Sequence, residues 1–142
     1  MISRITKAQI QHISQFPKKA LNISQDELKN LKNCEYLLLI HSFTEESLRL
    51  TIYPINKQKI VKVTLFGDNS PNKIFKKITK ILQNFQVIHT SGFLKIEKQL
   101  FFECYLNLNL SEEKSKNLKA SLDKIKSIFK EIKIEEIRLK NN

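Results

Sequence analysis

Two hydrophobic periods alternate along residues 59–139, and this alternation restricts the fold more than any other feature of the chain. Val61, Val63 and Leu65 recur at every second residue, as in a strand with one buried face. Ile74 and Ile78 begin a stripe with helical spacing. The full order of segments is strand, helix, strand, strand, helix, strand. This order predicts an α+β domain.

The predicted strands cover residues 59–66, 87–96, 99–109 and 132–139. The first helix follows Ser70 as its cap and Pro71 as its first residue, and the second follows Ser111 as its cap. A strand order of this kind is typical of the ferredoxin-like βαββαβ fold, in which an antiparallel sheet carries two helices on one face.

The first 58 residues are expected to extend this sheet. Residues 1–35 are interpreted as a helical segment, in which Ser24 and Glu27 form a capping box. Residues 36–58 are interpreted as a β-hairpin, because the apolar run that starts at Tyr36 and the alternation that starts at Leu48 are separated by a polar turn. The sequence therefore predicts a single domain, residues 1–142, with one continuous core.

Composition excludes several functional classes. The chain has only Gly67 and Gly92, which excludes the glycine-rich loops that bind phosphates or dinucleotides. Cys34 and Cys104 have no Cys-x-x-Cys spacing, so we expect neither a disulfide scaffold nor a zinc site. No signal peptide or membrane-spanning run is evident, and the cytoplasm is the expected compartment. No metal or cofactor is expected.

The residues suited to catalysis are dispersed. His41 and His89 fall in different predicted strands and could meet across a sheet near Glu103, yet histidines in such positions are more often structural. Cys104 falls on the apolar face of its strand, and no base is identified for Cys34. We therefore expect a protein that is not an enzyme.

Residues 59–139 resemble the ACT family of small-molecule-binding regulatory domains. The resemblance is carried by the segment from Val63 to Ile74, which reads VTLFGDNSPNKI, and by Val87-Ile88-His89-Thr90 after the predicted helix. ACT domains commonly have Gly-x-Asp-x-Pro-Gly-x-Leu between the first strand and helix. Here Asp68 follows Gly67 directly, and Asn72 stands where a second glycine is expected.

The resemblance implies a homodimer that binds a small effector, such as an amino acid, at this loop. The residues that would form the site are Gly67, Asp68, Asn69, Ser70 and Asn72. Amide groups at a helix N-terminus bind a carboxylate, and Asp68 could receive an ammonium group. Because the chain carries no recognisable output domain, its signal would pass to a separate protein partner.

A nucleic-acid-associated protein or a protein-interaction adaptor with the same fold is the alternative. The chain has 25 basic and 14 acidic residues, for a net charge of +11, and residues 59–142 account for +8 of it. Phe101 and Tyr105 share the face of the sheet that is predicted to be open, where aromatic rings could stack on bases or form an interface between subunits. The sequence predicts that these two residues form an interaction surface.

Overall fold

The computed structural model describes residues 5–29, 31, 33–68 and 71–140. The described chain is an α+β protein with two antiparallel sheets. It divides into two compact units. The first unit consists of residues 6–58 and 137–140, and the second unit consists of residues 59–136 with Ile5. That the whole chain acts as one domain stays a prediction, because each unit is compact by its own internal packing.

Three strands and a short helix form the first unit. Strands β1 (Thr6–His12), β2 (Tyr36–Phe43) and β3 (Leu48–Ile55) make an antiparallel sheet in the order β1-β2-β3. Helix α1 (Gln25–Lys29) follows the predicted capping box, in which the Glu27 amide donates to Ser24 Oγ over 3.1 Å. A separate core cluster fills this unit and includes Phe16, Leu28, Leu37 and Leu39.

Two expectations for this region are wrong. The segment 1–35 is not wholly helical, because β1 pairs with β2 along seven residues and buries Ile10 opposite Leu38. The hairpin of β2 and β3 is confirmed, but it belongs to this sheet and does not extend the four-stranded one. The physical reason is that β1 pairs with the edge of β2 that β3 leaves free, which satisfies the backbone groups of β2 within its own sheet.

The second unit contains the remaining elements. Strands β4 (Lys59–Asp68), β5 (Val87–Ile96), β6 (Gln99–Leu106) and β7 (Glu131–Arg138) lie in the order β5-β6-β4-β7. Helix α2 (Pro71–Leu82) follows β4, and helix α3 (Glu113–Asp123) follows β6. The element order predicted from residue 59 onward is thus confirmed.

The two longer helices pack their apolar residues against the sheet of this unit. Ile74 and Ile78 from α2, with Leu118 and Leu122 from α3, join the alternating residues of β4 and β6 in one buried cluster. Pro71 begins α2 as predicted. The predicted Ser111 cap is wrong: Glu112 is the capping residue of α3 and makes no side-chain capping bond.

Candidate functional site

Gly67 lies near the end of β4 and packs closely against Phe129. A Cβ atom at this position would lie 3.1 Å from Phe129 Cδ1 and 3.2 Å from Phe129 Cα. Gly67 is also buried and lies opposite Leu100 on β6. The missing side chain therefore lets the backbone of the segment after α3 approach β4 closely.

Asp68 is exposed and paired with a lysine. Its Oδ1 lies 3.1 Å from Lys130 Nζ, and that ammonium also lies 5.9 Å from the centre of the Phe66 ring. Asn69 and Ser70 fall outside the described residues. Asn72 lies in the first turn of α2. Of the five residues predicted to bind a ligand, the structure therefore gives contacts for Gly67 and Asp68. Gly67 contacts Phe129, and Asp68 contacts Lys130.

Residues 129 and 130 line a cavity of about 460 Å³ between α3 and β7. Its apolar lining comes from Leu122, Phe129, Ile132 and Ile134. Its charged lining comes from Lys119, Asp123, Lys126, Lys130 and Glu131. Cavities that bind small molecules combine a mainly apolar surface with a few polar groups, and this one carries both signs of charge.

The cavity was not anticipated from the sequence. Leu122 and Phe129 have helical spacing in the sequence, and Ile132 and Ile134 fall in the predicted last strand, so their positions alone indicate ordinary core packing. The cavity exists because the side chains of α3 and β7 do not fill the space between these two elements, and this depends on how the elements pack. The sequence signal that could have suggested it is the group of charged residues at 119, 123, 126, 130 and 131 that flanks these apolar positions.

Phe101 and Tyr105 share one face of β6, as predicted, but both are buried. Phe101 is 5% exposed and Tyr105 is 0% exposed. The expectation that these rings form an open surface is wrong. The ring of Phe101 contacts that of Phe66, with 4.8 Å between centroids.

A buried ion pair occupies the same face of the sheet. Lys62 Nζ binds Glu103 Oε2, and their side chains are 7% and 2% exposed. Glu103 Oε1 also accepts a hydrogen bond from the Ile5 amide over 2.8 Å, and the Glu103 amide donates to Ser91 Oγ over 2.9 Å. Lys62 Nζ lies 5.5 Å from the centre of the Tyr105 ring. These contacts satisfy two charges that would be costly to bury alone.

The histidines and cysteines do not form a catalytic arrangement among the described residues. His41 and His89 lie in different sheets, and partial burial lowers the pKa of His89 although Glu103 opposes this shift. Burial raises the pKa of the Cys104 thiol to about 12, and burial likewise raises that of Cys34. Both shifts favour the protonated thiol, which disfavours a nucleophilic role.

No group of three metal-ligating side chains is found in the part of the chain that the structure describes. Within the same residues, no helix combines the length and apolar character needed to span a membrane. The chain matches no protein-family model, and a search of curated proteins returned no significant match.

Proposed function

We propose that this chain is a non-catalytic regulatory protein whose second unit is an ACT-like domain that binds an amino acid with an apolar side chain. The strand order β5-β6-β4-β7, with α2 and α3 as connections, supports a ferredoxin-like βαββαβ arrangement for this unit. Both cysteines are free thiols, which suits the reducing cytoplasm as its compartment.

The observation that carries the proposal is the position of the Asp68–Lys130 ion pair beside the cavity between α3 and β7. Lys130 both lines this cavity and lies 3.1 Å from Asp68. A zwitterion can enter such a pair, with its ammonium group on Asp68 and its carboxylate on Lys130. Its apolar side chain would then lie against Phe129 and Ile132, away from water.

We expect an amino acid of this class to raise the melting temperature. A ligand that binds only the folded state stabilises it by about 2.7 kcal/mol at 100 times its Kd. The probes are L-leucine, L-isoleucine, L-valine and L-phenylalanine, each titrated in a thermal-shift assay. Asp68→Asn and Lys130→Met should each reduce the shift strongly, because each removes one charge that the zwitterion would contact.

Lys133→Met is the matched control. Lys133 lies on β7 and pairs with Glu135 over 3.7 Å, with about half of its side chain exposed, but it does not line the cavity. This variant should keep the full shift of the wild-type protein. A full shift in Asp68→Asn and Lys130→Met, or no shift with any of the four probes, would contradict the proposed site.

We further propose that the chain dimerises, through β3. This strand is an edge of the first sheet, and Leu48 and Leu50 on it are 61% and 38% exposed. Its pairing with β2 is regular along eight residues, so residues 48–53, which precede Pro54, have the regular geometry that a second strand needs. Two copies could pair β3 with β3 and cover these leucines.

Sedimentation velocity tests the dimer directly. The wild-type protein should sediment at twice its chain mass of 16.7 kDa. Leu48→Lys should shift the population to monomer, because a charge at this edge disfavours strand pairing. Leu21→Lys is the control, since Leu21 is also exposed in the first unit but lies outside the sheet. A monomeric wild-type protein, or a dimer that persists in Leu48→Lys, would refute this interface.

Burial of Phe101 and Tyr105 weighs against the nucleic-acid alternative. Stacking of bases needs open aromatic faces, and these two rings are buried. The basic charge on the helices is then the remaining argument for a nucleic-acid partner, and it is not specific to one.

A further inference from the structure

A second concave surface of the four-stranded unit is almost entirely apolar. It is a groove of about 410 Å³ between α2 and β5. Strand β5 is one edge of the four-stranded sheet, and β7, which borders the other cavity, is the opposite edge. Phe75 of α2 and Val87 of β5 line it and are 53% and 40% exposed. Large apolar side chains that are grouped and half exposed are typical of a binding surface.

The aromatic rings in this groove support one another. Phe75 contacts Phe93 with 5.3 Å between ring centroids, and Phe93 stacks on Phe102 at 4.7 Å. Phe102 belongs to the buried core. This connection from the core to the exposed Phe75 holds the groove in shape before any partner binds, which reduces the entropy lost on association.

All residues that line the groove, except Phe102, belong to a segment that has no negative charge. Residues 69–96 contain five lysines and neither Asp nor Glu. Lys76, Lys77 and Lys80 on α2 and Lys95 on β5 are exposed. The charged residues of α2 and β5, the two elements that form the groove, are thus all lysines, which fits an occupant with an apolar face and acidic flanks.

The edge of β5 is poorly suited to an added strand. Its pairing with β6 is interrupted between Val87 and His89 and again between Thr90 and Phe93. Gly92 at the second irregularity has a φ of 70° and lines the groove, and a Cβ built there would meet no atom within 4 Å. Such irregularities disfavour the pairing of another strand with the edge of β5. The space next to Gly92 is open, so side chains of a partner that packs on the face of the sheet can enter it.

We propose that this groove binds an acidic, amphipathic α-helix of another protein. The helix lies beside α2 with its apolar residues against Phe75, Val87 and Phe93, and its carboxylates face the lysines. A second copy of this chain fits poorly, because α2 has four lysines and no acid, and α3 has three lysines and two acids. This inference is independent of the amino-acid site, since it depends on a different cavity.

The probe is a fluorescent synthetic peptide of about 18 residues, or five helical turns, with leucines on one face and glutamates on the others. Fluorescence anisotropy measures its binding to the full chain. Phe75→Ser should weaken binding by about tenfold or more, as expected for an aromatic anchor. Lys76→Glu combined with Lys80→Glu should weaken it as well, by reversing the charge beside the groove.

Two controls make the result specific. Phe43→Ser removes an equally exposed phenylalanine, 55% exposed, from the other unit and should leave binding unchanged. A peptide of the same composition with its leucines distributed around the helix should bind weakly. Circular dichroism of each variant verifies that it is folded.

Four results would overturn the proposal. The first is that the acidic peptide does not bind, and the second is that Phe75→Ser binds it as tightly as the wild-type protein does. The third is that a peptide with lysine in place of glutamate binds as tightly as the acidic peptide. The fourth is that the protein binds phosphatidylserine vesicles in a Phe75-dependent manner but does not bind the peptide. The last result would identify a membrane surface as the occupant. Loss of the amino-acid response in Asp68→Asn leaves this experiment unaffected, so the two proposals can fail separately.

Discussion

Replacing Lys62 with Met is expected to lower the free energy of unfolding by about 3–5 kcal/mol. The substitution keeps much of the side-chain volume but leaves the carboxylate of Glu103, which is 2% exposed, without its cation. Removal of the cation from a buried ion pair is among the most destabilising changes in a protein interior. Urea denaturation at neutral pH, with the slope checked against that of the wild type, measures the loss.

The double variant Lys62→Met/Glu103→Gln separates the charge from the packing. Gln keeps the Oε1 acceptor that receives the Ile5 amide at 2.8 Å but carries no charge. We therefore expect the double variant to recover most of the stability that Lys62→Met loses. The exposed Lys133–Glu135 pair is the control, and Lys133→Met should cost at most about 1 kcal/mol. A loss below about 1 kcal/mol in Lys62→Met would show that this pair is not buried as described.

Gly67→Ala is expected to lower the free energy of unfolding by about 1–3 kcal/mol. The new Cβ would lie 3.2 Å from the Cα of Phe129, and backbone atoms yield less readily than the end of a flexible side chain. Because Phe129 also lines the α3–β7 cavity, the same substitution should weaken any ligand that binds there. Urea denaturation measures the first effect, and the thermal-shift titration measures the second.

Gly92→Asn is the matched control for this glycine. Its backbone has a φ of 70°, which Asn tolerates better than most residues, and a Cβ there meets no atom within 4 Å. We expect a change within about 0.5 kcal/mol, as for ordinary surface substitutions. If Gly67→Ala were equally neutral, Gly67 would not be required for close packing, and its predicted role as a ligand-binding residue would be the better explanation.

Local pattern was sufficient for most of the individual elements. The alternation at Val61, Val63 and Leu65 and the helical stripe at Ile74 and Ile78 specify secondary structure because side-chain direction follows backbone geometry within a few residues. The same reasoning predicts the hairpin of β2 and β3 and the bond from the Glu27 amide to Ser24 Oγ at the start of α1. These features depend on neighbours in the chain, so the sequence contains the information needed to predict them.

Local pattern failed where pairing between distant residues decided the outcome. Ile5, Ile10 and Ile13 have a spacing loosely compatible with a helix, yet β1 forms because β2 offers it a complete row of hydrogen-bonding partners. An isolated helix of this length is marginal in water, so the sheet prevails. The hairpin likewise pairs with β1, and its own sequence does not indicate which sheet it joins.

The candidate site shows the same division. The sequence predicted the order of two helices and four strands from residue 59 onward and placed Gly67 and Asp68 in a loop after the first of these strands, whereas β4 extends through Asp68. Only the tertiary structure decided that Asp68 pairs with Lys130, that Phe129 fills the space beside Gly67, and that Phe101 and Tyr105 are buried. Periodicity fixes which face a side chain occupies, whereas the atoms that cover that face, or leave a cavity beside it, come from segments distant in sequence.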